Sequence, residues 1–185
     1  MANIILASKS DRRQELLKRI TSNFKVEVAN IDETINTDNN LKDELKKVAL
    51  KKAKVIFEKN RESVVIGSDT IVVLNNQVLI KPKDKNDARN ILTKLSNNTH
   101  FVYTAVAIIS NKEELVFVDE SSVKFVELSD LEIENYINTN EPYDKAGAYG
   151  IQGQGGLFIE SIVGDYYSIM GLPISKVYQH LKKYL

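Results

Sequence analysis

The chain has 185 residues, 43% hydrophobic and 27% charged, the balance of an ordinary globular protein. Its 25 acidic and 25 basic residues cancel. Nucleic-acid binding is driven by phosphate neutralisation and carries a basic excess, so no nucleic acid is expected as a partner, while a small anionic ligand needs only a local cluster of cations. There is no cysteine, which excludes disulfides, thiolate nucleophiles and cysteine-ligated metals.

The length suits a single domain, 1–185, since no repeat, low-complexity tract or linker divides it. The opening residues have no basic region ahead of their short apolar run, unlike a signal peptide. No stretch approaches the roughly 18 apolar residues that span a bilayer. The expectation is a cytoplasmic protein with no membrane partner.

In chain order, residues 3–8 read as a short buried strand ending at Ser8-Lys9-Ser10. A helix follows from Asp11 to about Ile20, with Ser10 at the N-cap. Phe24–Ala29 is a second strand. Leu41, Leu45, Val48, Ala49, Ala53 and Ile56 recur at helical spacing and predict a helix over 41–59. Val64–Leu74 is β-rich but interrupted at Gly67-Ser68-Asp69, and Asn75-Asn76 offers a hairpin turn into Gln77–Ile80. A helix fits 84–95, and two strands fit His100–Ile109 and Leu115–Leu128. Ser129-Asp130-Leu131-Glu132 has the capping-box pattern and opens a helix to Ile137. Five glycines between Gly147 and Gly156 shape a loop over 141–156. A strand at 157–163 follows, and Pro173 opens a terminal helix. The fold class is α/β, with a mixed sheet flanked by helices.

Four groups of residues carry candidate chemistry. Ser8-Lys9-Ser10-Asp11-Arg12-Arg13 lies between a strand and a helix, where free backbone N–H groups and the helix dipole favour phosphate. Serine hydroxyls and guanidinium forks add donors there, or the run is a cap followed by solvated arginines. Gly67-Ser68-Asp69-Thr70 puts a carboxylate in an apolar strand, which is costly unless the group is used; a polar strand end is the alternative. Lys52 lies at the edge of an apolar helix face, where it either snorkels or points into a pocket, and Lys81 follows a hairpin arm. The Tyr143–Gly153 run packs glycines closely enough for backbone to approach a ligand or a neighbouring element. There is no phosphate-binding Gly-Lys-Ser/Thr loop and no dinucleotide fingerprint. With two histidines, His100 and His180, a His-rich metal site or a Ser-His-Asp triad has no basis.

In this order, Leu6–Ser10 with Arg12–Leu17, Ile31-Asp32-Glu33, Ala49–Ala53, Gly67–Thr70, Lys81-Pro82, His100–Thr104, Tyr143–Gly153 and Gly164–Pro173 resemble the Maf family of nucleotide pyrophosphatases over nearly the whole chain. The family usually has proline at Asp11 and glycine at Ile80 and Asn97. The resemblance implies a mixed, twisted sheet of the inosine-triphosphate-pyrophosphatase (Maf/HAM1) type, with two lobes and a central cleft. It also implies hydrolysis between the α- and β-phosphates, a divalent cation (Mg²⁺ or Mn²⁺) and a homodimer.

On this resemblance, Asp69, Glu33, Lys52 and Lys81 are the catalytic residues, and Ser8, Arg12, Arg13, Thr70 and Gln152 contact substrate. Asp69 and Glu33 are also the candidate metal ligands, and a base role and a metal role stay open for both. Arg12, Thr70 and Gln152 resemble the dTTP- and UTP-hydrolysing subgroup. A Gln152 amide can accept from N3–H and donate to O4 of uracil or thymine, which cytosine reverses. The competing readings are a pyrophosphatase for modified purine triphosphates and a nucleotide-binding regulator of septum formation.

Overall fold

In a computed structural model that describes residues 2–185, the strands are β1 (Asn3–Leu6), β2 (Phe24–Val26), β3 (Ser63–Leu74), β4 (Gln77–Leu79), β5 (Thr99–Ile109), β6 (Glu114–Phe125) and β7 (Ile159–Val163). The helices are α1 (Asp11–Lys18), α2 (Leu41–Phe57), α3 (Lys85–Leu95), α4 (Asp130–Ile137), α5 (Tyr166–Met170) and α6 (Ile174–Leu181). Three short 3₁₀ turns lie between Pro142 and Phe158. The seven strands form one sheet in the order β2-β1-β3-β5-β6-β7, with β4 paired to β3. β1 runs parallel to β2 and to β3, while β3–β4 and β6–β7 are antiparallel. The sheet is therefore mixed, as the sequence leads one to expect.

The chain divides into two compact units. The first comprises residues up to Thr70, Thr104–Asp119 and Gly171–Leu185; the second comprises Ile71–Tyr103 and Glu120–Met170. Strands β3, β5 and β6 each begin in one unit and finish in the other.

Local signals account for most element ends. Ser10, Asn40, Asp84 and Ser129 each accept a backbone N–H at the start of α1, α2, α3 and α4, satisfying donors that a helix start leaves unpaired. The capping box at Ser129 and Glu132 is complete. Asn75 and Asn76 both have positive φ, 49° and 62°, the backbone that a tight type I′ hairpin between β3 and β4 requires.

Several element ends fall short of the sequence reading, β2 stopping at Val26 and not Ala29 and β6 at Phe125 and not Leu128, and three further features differ. β3 is not interrupted at Gly67: it runs unbroken through twelve residues. A Cβ on Gly67 would lie 2.3 Å from the Ala49 carbonyl oxygen and 2.8 Å from the Ala53 nitrogen. The glycine marks close approach of β3 to α2, the second meaning of a strand glycine. Pro173 caps α6 and is not its first residue. α5 has no counterpart in the reading, being a five-residue helix held by Asp165, whose Oδ1 accepts the Tyr167 N–H at 2.7 Å.

In the second unit the core gathers Val72, Leu92, Leu95, Val102, Phe125, Ile133, Tyr136, Tyr149 and Phe158 around α3 and α4. His100 is fully buried within it, its Nε2 2.8 Å from the Tyr149 hydroxyl. In the first unit the inner residues of β1, α1, α2 and β3 (Ile5, Leu16, Leu17, Leu45, Ala49, Val65 and Ile66) are completely buried.

Candidate active site

Seven of the nine expected site residues, Ser8, Arg12, Arg13, Glu33, Lys52, Asp69 and Thr70, belong to the first unit. Two clusters form among them. In the first, Arg13 is 9% exposed and its guanidinium is spent on the protein. Nε donates to the Gly171 carbonyl at 2.9 Å, Nη1 to Ser8 Oγ at 3.3 Å and Nη2 to Thr70 Oγ1 at 3.0 Å. The reading of both arginines as solvated surface groups fails for Arg13, and Arg12 is half-buried. Burial pushes the Arg13 guanidinium below its usual pKa; Asp69 and Glu33 oppose that and neighbouring Arg12 adds to it. An arginine nonetheless stays charged. Arg13 thus ties the end of β1, the middle of β3 and the turn before α6 into one rigid point.

Gly171 contributes through its backbone. Its φ of 118° is one that side chains rarely adopt, and its carbonyl also accepts from the fully buried Ser68 hydroxyl at 3.0 Å. Thr70 Oγ1 lies 2.9 Å from Thr104 Oγ1, so the Thr70 hydroxyl is fixed from two sides. A backbone carbonyl leaves no mark in a residue pattern, so Gly171 stood within the matching stretch Gly164–Pro173 with no role assigned to it.

The second cluster is centred on Lys52, which is 6% exposed. Its ammonium lies 2.8 Å from Asp69 Oδ1 and 2.9 Å from Glu33 Oε2. The lysine therefore points inward, and the snorkelling alternative is set aside. The close packing allowed by Gly67 brings α2 near enough to β3 for this contact. Glu33 is presented by a turn, since Asp32 Oδ1 accepts the Thr34 N–H at 2.9 Å and its hydroxyl at 2.6 Å. Its side chain remains 53% exposed, against 14% for Asp69. Removing one partner of a buried ionic group of this kind is strongly unfavourable.

Lys81 and Gln152 lie in the second unit. Lys81 is exposed just beyond β4 and is followed by the buried Pro82. Gln152 is exposed in the turn that follows Tyr149-Gly150. That turn is built on Glu141, which accepts the N–H groups of Gln154 and Gly155 at 2.9 and 3.0 Å and the Tyr136 hydroxyl at 2.9 Å. Sequence reasoning passed over Glu141. The available signal was the spacing of Gly150, Gly153 and Gly155, which implies a group filling the space their side chains would take.

For a metal, no cluster of three or more His, Cys, Asp or Glu exists among the described residues. The donors present are the Asp69 and Glu33 carboxylates on one ammonium. Mg²⁺ usually binds through one or two carboxylates plus substrate phosphates and water, so this donor set fits it.

The fold resembles that of the Staphylococcus aureus Ham1 protein, with a TM-score of 0.58 over 99% of this chain and 100% of that one at 14% identity. This places the architecture among Ham1-like α/β proteins. The sequence goes further, because the family model described as "Maf-like protein" matches residues 3–184, and the chain belongs to that family. It is 44% identical to a protein of Bacillus cereus (strain G9842) named dTTP/UTP pyrophosphatase, over 100% of this chain and 96% of that one. It is 45% identical, with the same coverage, to a protein of Bacillus cytotoxicus that carries the same name.

Proposed function

We propose that this protein hydrolyses dTTP and UTP to the nucleoside monophosphate and pyrophosphate. The observation that carries the reading is Lys52 held between Asp69 and Glu33, beside a guanidinium that locks Ser8 and Thr70. Full-length similarity to dTTP/UTP pyrophosphatases supports the substrate.

Phosphoryl-type transfer is achieved mainly by positioning and charge stabilisation. Lys52, Arg12 and Lys81 supply positive charge to the triphosphate, and a cation about 4 Å from a phosphate oxygen gains roughly 4 kcal/mol before desolvation at an effective dielectric of about 20. Ser8 Oγ and the first N–H groups of α1 add donors. Arg13 orders Ser8 and Thr70. Asp69 takes the proton of the attacking water; the new P–O bond forms as the bond to pyrophosphate breaks. Lys52 fixes the Asp69 carboxylate for that task. A divalent cation, Mg²⁺ or Mn²⁺, held by Asp69 and Glu33 would neutralise charge on the phosphate oxygens.

Gln152 reads the base, accepting from N3–H and donating to O4 of uracil or thymine. Cytosine reverses both groups, so an amide held in this orientation meets two mismatched partners. The same reading takes the protein as a cytoplasmic homodimer. No helix among the described residues is long and apolar enough to cross a membrane.

The test is to incubate purified protein and Mg²⁺ with standard and modified triphosphates and to identify the products. UTP and dTTP yielding monophosphate and pyrophosphate is the expected result. Cleavage of purine analogues alone would overturn the substrate assignment, and nucleotide binding without hydrolysis would point to a regulator of septum formation.

A further inference from the structure

The turn carrying Gln152 has a hub that the chemistry above does not use. Glu141 follows α4, and its carboxylate receives three donors on two oxygens: the Tyr136 hydroxyl and Gly155 N–H on Oε1, and the Gln154 N–H on Oε2. The Tyr136 hydroxyl in turn accepts the Gly150 N–H at 3.3 Å. The Gly153 N–H closes onto the Gly150 carbonyl. Positions on both sides of Gln152 are thus tied to the same two side chains.

The glycines follow from this hub. A Cβ on Gly153 would lie 2.3 Å from Glu141 Oε2, one on Gly155 2.8 Å from the Tyr136 hydroxyl, and one on Gly150 2.7 Å from Lys145 Cε. Lys145 itself donates to the Glu141 carbonyl at 2.7 Å. Burial acts to raise the Glu141 pKa, but the Gly155 and Gln154 N–H groups, the Tyr136 hydroxyl and the Lys145 charge outweigh it and hold the carboxyl below its usual range. It is an anion at neutral pH, and an acceptor only.

We propose that Glu141 is a positioning residue for base selection, its carboxylate and the Tyr136 hydroxyl setting the backbone of residues 150–155 and so the direction in which Gln152 is presented. The inference rests on the reading of Gln152 as the base-contacting residue. An amide that distinguishes uracil from cytosine must be held to within about 0.5 Å, and the backbone on both sides of Gln152 is bonded to this hub. Glu141→Gln keeps the shape but places an N–H where the carboxylate accepted, so one backbone donor loses its partner.

The experiment measures amide hydrogen exchange over 150–156, with kcat and KM for UTP and CTP, in the full chain, Glu141→Gln, Gln152→Ala and the double variant. In Glu141→Gln, exchange quickens and the UTP:CTP ratio of kcat/KM falls about tenfold through KM, with kcat on UTP within about twofold. The double variant then discriminates no worse than Gln152→Ala alone. A ratio lost in Gln152→Ala but kept in Glu141→Gln overturns the positioning role and leaves the base reading intact. A ratio kept in Gln152→Ala removes the base reading, and this proposal with it. An equal fall in kcat for both nucleotides marks a general brace and also overturns the proposal. If Glu141→Gln does not fold, Tyr136→Phe removes only the hydroxyl, and an unchanged ratio there overturns the proposal equally.

Discussion

Around Lys52 a cation is held by two carboxylates, whereas around Glu141 a carboxylate is held by backbone N–H groups. The first arrangement gathers side chains from residues 33, 52 and 69, and each must have its own chemical identity. The second depends on side chains being absent, since three glycines leave the room that Glu141, Tyr136 and Lys145 fill. Losing a group in the first region should therefore cost chemistry, and crowding the second should cost placement.

The sharpest way to break this contrast is Asp69→Asn. Loss of the proton acceptor should lower kcat by a factor of about 10² to 10⁴, while triphosphate binding, followed by calorimetry, stays close to that of the unaltered protein. Retained turnover would remove Asp69 from its role.

The two kinds of glycine give the next comparison. Gly67→Ala drives a methyl into the backbone of α2, which cannot yield, so urea unfolding should show a loss of about 3 kcal/mol or more. Gly153→Ala meets only the end of the Glu141 side chain, which can swing away and forfeit its bond from Gln154. That change should cost about 1–2 kcal/mol. Equal losses would erase the distinction between a glycine set by backbone and one set by a carboxylate.

A third test concerns acid. Burial pushes the His100 imidazole from 6.5 down to about 4, so the folded protein favours the neutral ring. Its stabilising contribution is complete above the unfolded value and is lost as pH falls from 6.5 towards 4, in total about 3 kcal/mol. The urea midpoint of the unaltered protein should fall more steeply over that window than the midpoint of His100→Gln. Parallel curves would contradict the assignment.

The smallest effect is expected at Asn97, whose φ of 54° is a left-handed conformation that asparagine tolerates and glycine adopts freely. Asn97→Gly gains that freedom but loses the Lys124 bond to Oδ1 at 3.1 Å. Thermal unfolding should move by no more than about 0.5 kcal/mol in either direction.

Much of this molecule could be read along the chain. Helical periodicity located α2 and α3, the Ser129–Glu132 box located α4, and Asn75-Asn76 located the hairpin, because each is decided by residues within one or two turns of one another. The run from Ser8 to Arg13 and the carboxylate of Asp69 amid β-rich residues were equally visible, since both are matters of residue type and local pattern, although the strand read as interrupted there and runs unbroken. The five-residue α5 escaped because it is too short for a periodic signal, and its start depends on the Asp165 carboxylate.

What the sequence determined by itself was the set of elements and the chemical groups available: an apolar period, a cap and a charge are properties of neighbours in the chain. Only the tertiary structure decided what those groups do. It turned Lys52 inward onto Asp69 and Glu33, spent the Arg13 guanidinium on Ser8, Thr70 and Gly171, and wrapped the 150–155 turn around Glu141. These are contacts between residues as many as 158 positions apart. They are set by how close two backbones can pack, and that depends on the space a glycine leaves open, which no local pattern records.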